Sequence, residues 1–305
     1  MEAIVTIVGF LGAGKTTLLK YLINEYTDKG WSPFVILNDY ENAHLDAQQF
    51  RQQIEQKSIK ALSGSCICCS GIVELRNTVN RIPDRENGIT LIEANGTSDA
   101  CSLMEFLGVG LSERFLPPIQ IAVVAVNNWQ KRGEHNELEA VQVQVSSVLV
   151  LTHLDTVSKA RKEAVILDLK KYNPTAKIMV MQDLDIMMLP ELVPSANKAQ
   201  KFNHLKAHWS SCSIDLPELP NQNCFKTICN TLPKSILRVK GCAKISGEKK
   251  YTYFERKPDG EVFIRPFNGE PITGAKLLTI GPGSEVSVLE KALNESLKID
   301  AKNNI

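Results

Sequence analysis

The stretch Gly9-Phe10-Leu11-Gly12-Ala13-Gly14-Lys15-Thr16-Thr17 decides the fold. It fits the pattern of Gly, four residues, then Gly-Lys-Ser/Thr, which cradles phosphate groups. An apolar run, Ala3 to Val8, feeds it, and a helix-like run from Thr17 to Tyr26 follows. The residue types have physical reasons. Glycines let backbone N–H groups turn inward around phosphate oxygens. Lys15 supplies a mobile positive charge for the β- and γ-phosphates, and Thr16 a hydroxyl for Mg²⁺. A helix that begins here adds its positive end. Gly12, Ala13, Gly14, Lys15, Thr16 and Thr17 are therefore the expected contacts of a nucleoside triphosphate. A Gly-rich turn without a ligand is the plainer reading.

Working outward, apolar β-type runs alternate with helical patterns through the first two-thirds of the chain. Strands are expected at Pro33–Leu37, Ser58–Leu62, Gly88–Ile92, Ile119–Val126, Val148–Leu151 and Lys177–Val180. Helices are expected at Val73–Arg81, Leu138–Val145 and Ser158–Lys171. This alternation predicts an α/β fold, a phosphate-loop NTPase with a mostly parallel sheet and helices on both faces. Ligands in such sheets bind at the carboxyl ends of strands. The expected division is a first domain over 1–192, a linker over 193–213 rich in Ser, Asn, Lys and Ala, and a second domain over 214–305. The second reads as a smaller α+β module with an antiparallel sheet. Helices are expected at Phe225–Leu232 and Glu285–Leu297, and strands at Ser235–Ile245, Lys249–Glu255, Glu261–Phe267 and Lys276–Ile280. Pro258-Asp259-Gly260 is the turn signal inside it, and the polar tail after Ile299 reads as disordered.

Bulk properties exclude several functions. In 305 residues the net charge is +1 with 23% charged residues, so no strong field points to nucleic acid or a membrane surface. No run approaches the roughly 20 apolar residues that span a bilayer. The apolar N-terminal run leads into the phosphate loop and reads as a core strand, not a signal peptide. Eight cysteines, three of them within four positions, do not form a disulfide-like pattern. Reduced thiols in a cytoplasmic protein are the expectation.

The crowded thiols are Cys66, Cys68 and Cys69 in Cys-Ile-Cys-Cys. Three thiols so close can converge on a soft or borderline ion such as Zn²⁺ or Cu(I); buried packing or a redox pair are the alternatives. A closed zinc site has four ligands, and His44, water or a client protein is each a candidate for the fourth. In Leu91-Ile92-Glu93-Ala94-Asn95-Gly96, an apolar strand ends in an acid with Gly three positions later. Glu93 suits a Mg²⁺-bound water or the attacking water, and Gly96 suits close approach to the γ-phosphate. In Thr152-His153-Leu154-Asp155, Asp155 can accept both N–H donors on guanine's N1 and N2 edge. Thr152 and His153 stand where Asn and Lys are usual, and the histidine ring can stack on the base in place of a lysine stem. His204 and His208, four apart, read as solvated.

With these signals in order, the chain resembles the CobW-like P-loop GTPases, relatives of the hydrogenase and urease nickel-insertion GTPases. The likeness extends to Asn173-Pro174 with Ala176, to Ile236-Leu237-Arg238-Val239-Lys240-Gly241 and to Thr279-Ile280-Gly281. It implies Mg²⁺-dependent GTP hydrolysis coupled to handling of zinc, cobalt or a related metal, with a client metalloprotein as partner and a homodimer as an assembly to test. The chain departs from the family pattern after the second strand, where Asn38-Asp39-Tyr40-Glu41-Asn42 replaces Asn-Glu-Phe-Gly-Glu. It departs again at Val126-Asn127-Asn128, which replaces Val-Asp-Ala. Asp39 keeps a carboxylate one carbon shorter. Under this reading Lys15, Asp39 and Glu93 act in catalysis, Thr16 and Glu93 hold Mg²⁺, and Cys66, Cys68 and Cys69 bind the transported ion. Turnover is expected to be slow, because no arginine finger stands out. A non-hydrolysing metal-binding scaffold and an ATP-dependent small-molecule kinase are the competing readings.

Overall fold

The computed structural model describes residues 1–38, 50, 54–62, 71–197, 211–236, 238–256, 260–267, 269–271, 274–281 and 283–303. These residues form two compact units, each with its own sheet.

The first unit is built on seven parallel strands: β1 (Ala3–Val8), β2 (Ser32–Asn38), β3 (Ile59–Leu62), β4 (Gly88–Glu93), β5 (Ile119–Ala125), β6 (Val148–Thr152) and β7 (Lys177–Val180). Their order across the sheet is β3-β2-β4-β1-β5-β6-β7. The central strands β1 and β5 are buried at every residue, which explains why they are apolar except at Thr6 and Gln120. The edges β3 and β7 are more exposed. Register places Ile7 beside Glu93 and Ile121, so β1 and β4 end at nearly one level and β5 runs three residues past the partner of Val8. Helices α1 (Lys15–Asp28), α2 (Gly71–Asn80), α3 (Ala100–Leu107), α4 (Asn136–Gln144) and α5 (Lys159–Tyr172) connect the strands. Leu18, Leu22 and Tyr26, with Leu19 and Ile23, recur at three- and four-residue spacing on α1 and are all fully buried.

Short polar devices fix the connections. Asp99 caps α3, its Oδ1 accepting from the backbone of Cys101 at 3.0 Å and of Ser102 at 3.3 Å. That helix is absent from the sequence reading because Ala100 to Leu107 is apolar on most sides. Buried Asn173 donates from Nδ2 to the carbonyls of Val143, Gln144 and Ser146 at 2.8–3.0 Å, and its Oδ1 accepts from Ala176 N. The Asn-Pro signal thus has a mechanical role: it ties the end of α4 to the turn before β7. Residues 193–197 bond to the same region, through Ser147 Oγ to Val193 O and Asn197 Nδ2 to Gln144 O.

The second unit is a five-stranded antiparallel sheet of β8 (Ser211–Asp215), β9 (Arg238–Lys244), β10 (Tyr251–Arg256), β11 (Val262–Pro266) and β12 (Lys276–Ile280), in the order β11-β10-β9-β12-β8. The strand β8 occupies the end of the stretch read as linker. Helices α6 (Asn223–Thr231) and α7 (Val286–Asn303) pack together. Phe225 of α6 stacks on Phe254 of β10, ring centroids 4.6 Å apart. Gly241 on β9 leaves room for that ring: a Cβ there would lie 2.2 Å from it. Helix α7 runs through Asn303, correcting the expectation of disorder after Ile299. The turn residues 257–259 lie outside the described set. No helix among the described residues is long and apolar enough to cross a membrane.

On β9 and β10, Glu255 accepts from Arg238 Nε and from the Tyr253 hydroxyl, both at 3.0 Å. Burial pushes its carboxyl up, but Arg238, Lys240 and these hydrogen bonds outweigh burial and hold it at about 2. A carboxyl depressed on folding adds stability above its unfolded value, 4.5, and loses it as pH falls toward 2. Urea unfolding should therefore show stability declining through that window. Glu255→Gln should flatten the decline while lowering stability at neutral pH, and an unchanged acid limb would contradict this assignment.

Candidate nucleotide site

The phosphate loop is held from beneath by strands and is contacted by both the β4 and the β6 loops. Gly9, Gly12 and Gly14 have φ of 142°, 76° and 103°, values that L side chains resist. Gly9 also lies against β5, where a Cβ would be 2.5 Å from the Val123 carbonyl oxygen. Inside the loop, Ala13 N donates to Phe10 O at 3.1 Å, and α1 begins directly at Lys15. No side chain caps that helix start, so its amides point into the loop. Lys15 is 4% exposed, and its Nζ donates to Gly9 O at 2.9 Å and to Phe10 O at 3.4 Å. The ammonium thus lies along the inner wall of the loop.

Thr16 and Glu93, 77 positions apart in sequence, come together here: Thr16 Oγ1 donates to Glu93 Oε1 at 2.9 Å. Parallel register brings Glu93 to the end of β4, next to the end of β1. A hydroxyl and a carboxylate so close form a hard oxygen donor pair, the kind that suits Mg²⁺. Gly96 then passes under the loop: a Cβ on it would lie 2.7 Å from both the backbone nitrogen and a methyl carbon of Leu11.

The β6 loop reaches the opposite side. Thr152 Oγ1 donates to Ala13 O at 2.7 Å. His153 has φ of 54° and places Nε2 3.0 Å from Gly12 O. The carbonyl can only accept, so Nε2 is the protonated nitrogen. Both residues therefore grip the phosphate loop itself. Asp155 is exposed two residues on, and Thr17 is exposed on α1. Asp39, His44, the Cys66/Cys68/Cys69 cluster, His204 and His208 lie outside the described residues. Among the described residues, no three His, Cys, Asp or Glu side chains group as metal ligands.

A cluster that the sequence does not reveal surrounds Phe10. Its ring stacks on His135, with centroids 5.9 Å apart and planes at 29°, and Arg132 lies 4.5 Å over it. Arg132 pairs with Glu139 at 3.8 Å, and Glu139 accepts from the Gln130 backbone N–H at 2.9 Å. Burial pushes the Glu139 carboxyl up and the His135 imidazolium down. The one available signal is a large apolar residue at position 10, which requires a covering partner. Cavities of about 410 and 490 Å³ open elsewhere, the first lined by Glu2, Trp31, Arg85 and Arg114 and the second by α3 and Pro117-Pro118. Neither is lined by the phosphate loop.

The CobW/HypB/UreG nucleotide-binding domain matches residues 3–180. The zinc chaperone YjiA of Escherichia coli K12 is 30% identical over 168 residues, covering 52% of each chain. The zinc-regulated GTPase metalloprotein activator 1 of Dictyostelium discoideum is 25% identical over 209 residues, covering 56% of this chain and 44% of that one. The chain thus spans about half the length of the curated relatives it matches. A crystal structure of Zn(II)-bound YjiA GTPase from E. coli aligns with 96% of this chain and 98% of its own, at 21% identity and a TM-score of 0.44.

The geometry at Gly96 yields a direct test. Gly96→Ala must push Leu11 N, 2.7 Å from the new methyl, out of position. Affinity for a fluorescent guanosine triphosphate should fall by about tenfold or more, roughly 1.4 kcal/mol, while far-ultraviolet circular dichroism stays that of the parent. Unchanged affinity would show that the contact does not shape the phosphate cradle.

Proposed function

This chain belongs to the CobW/HypB/UreG family, and on that premise we propose that it is a Mg²⁺-dependent GTPase that binds and delivers zinc. The observation that carries the reading is the Thr16–Glu93 pair, set at the mouth of a phosphate loop that holds Lys15 along its wall. The names of the relatives, a zinc chaperone and a zinc-regulated GTPase, support the choice of nucleotide and cargo.

Phosphoryl transfer to water demands positioning and charge neutralisation more than covalent chemistry from the protein. Lys15 exchanges its hold on the Gly9 and Phe10 carbonyls for the β- and γ-phosphate oxygens. The amides of Gly12 to Thr16 surround the same oxygens. Thr16 and Glu93 would hold Mg²⁺, which when bound supplies positive charge to the β- and γ-phosphates. Asp39, which follows Asn38 in sequence, assists as a second carboxylate. Asp155 accepts from the guanine edge, and Thr152 and His153 keep the phosphate loop in register with that base-reading segment. Cys66, Cys68 and Cys69 take up the zinc ion as thiolates, and a client metalloprotein receives it. Turnover is slow without a cation supplied from outside to the γ-phosphate.

One set of assays on the full chain tests this. Mg²⁺-dependent GTP turnover should exceed that of ATP, and Lys15→Ala should lower kcat/KM by about 10² or more. One zinc ion should bind the anaerobically purified protein and be lost in a Cys66/Cys68/Cys69→Ser variant. Zinc binding without any nucleotide turnover would favour a scaffold. A preference for ATP with a phosphorylated small-molecule product would favour a kinase.

A further inference from the structure

The carboxamide of Gln142 is spent outside its own helix. It is 1% exposed on α4, and its Nε2 donates to Gly96 O at 3.2 Å and Ser98 O at 3.3 Å. Both acceptors lie in the loop between β4 and α3. That loop begins at Glu93, whose carboxylate takes the Thr16 hydroxyl, and it carries Gly96 beneath Leu11. It ends at Asp99, the cap of α3. Within it, Ser98 N bonds to Asn95 O, and Asn95 Oδ1 accepts from Thr97 N, so the turn is compact. At its far side, α4 is anchored independently: Ser146 Oγ donates to Gln142 O, and Asn173 holds the last carbonyls of the helix. Upstream of α4, Arg132 and His135 cover Phe10. Gln142 is therefore a side-chain link from α4 to the segment carrying Glu93.

We propose that Gln142 is a positioning residue for nucleotide hydrolysis: its amide fixes the Gly96 and Ser98 carbonyls, and through them the place of Glu93 beside Thr16. The inference rests on the hydrolytic reading above, and it adds a consequence. Gly96 and Ser98 carbonyls deprived of their donor inside the protein carry a desolvation cost. The loop and α4 therefore shift together when the phosphate end of the site changes, or neither shifts. Among the described residues, Gln142 Oε1 and Ser98 Oγ are buried beside this link without hydrogen-bond partners of their own. A donor at Gln142 is the requirement, and only the –NH₂ end of the amide meets it.

Two variants separate positioning from packing. Gln142→Met keeps length and removes the donor. Gln142→Glu keeps shape, but its ionised carboxylate can only accept, whereas its protonated form donates one O–H. Steady-state turnover of Mg·GTP and hydrogen exchange of the free protein are measured on both and on the parent. For Gln142→Met, kcat should fall about tenfold or more with KM little changed, and amides 94–99 should exchange faster while the β1 and β5 amides do not. For Gln142→Glu, turnover should rise relative to the parent as pH is lowered from about 8 to about 6, because burial beside carbonyl oxygens raises the acid's pKa. Parent-like kcat and parent-like exchange at 94–99 in both variants would overturn the proposal. So would an acceleration of exchange spread evenly over the unit, which marks Gln142 as packing alone. If the parent itself does not turn over GTP, the hydrolytic reading fails, and the exchange arm still decides whether Gln142 holds the loop.

Discussion

The structure depends on backbone packed against backbone where side chains would not fit. Gly9 lies so close to β5 that a single methyl would meet the Val123 carbonyl, and Gly96 lies equally close to Leu11. These contacts compress the ends of β1, β4 and β5 into one small volume. In that volume the amides of the phosphate loop, the Lys15 ammonium and the Glu93 carboxylate are neighbours. A looser arrangement would leave the same residues present but too dispersed to neutralise a triphosphate. Pre-positioned donors are what phosphoryl transfer requires of a protein.

Side-chain ties then hold this compressed region from three sides. Thr152 and His153 grip the outer carbonyls of the phosphate loop. Arg132 and His135 enclose Phe10. Gln142 restrains the segment that follows Glu93. Two of these three ties come from the stretch between β5 and the end of α4, and Asn173 fastens that same helix end to the turn before β7. The Thr-His pair, which stands where Asn and Lys are usual, thus has a physical role of its own in holding the phosphate loop.

Much of this was legible in the chain itself, for identifiable reasons. The β1–loop–α1 unit is contiguous, so its glycines, lysine and flanking apolar runs can be read together. The inner strands β4, β5 and β6 show as largely apolar runs because they are buried on both faces. Strand order is a different matter, since the β2–β4 and β1–β5 neighbours are set by pairing between distant segments. Helix α3 escaped because Ala100 to Leu107 lacks a polar face, although Asp99 is a good cap. The closing helix was read too short because its last turns are polar. At the site, Glu93 was legible from its strand-end position taken together with the phosphate loop and Gly96 three positions on. Arg132, His135, Glu139 and Gln142 were not, because Arg132, His135 and Gln142 act across 44 to 125 positions and Glu139 acts through Arg132, a partner with no local pattern of its own.

The proposed function, GTP hydrolysis that serves zinc binding and delivery, requires that the nucleotide and the Cys66/Cys68/Cys69 thiols affect one another, and linkage makes that requirement symmetric: zinc must change GTP affinity by the factor by which GTP changes zinc affinity. Calorimetric titration of the anaerobic protein with a slowly hydrolysed GTP analogue and Mg²⁺, with and without bound zinc, measures it most directly. The account predicts dissociation constants that differ by about fivefold or more, with the difference abolished by the triple serine variant. Equal constants in the two titrations would contradict it.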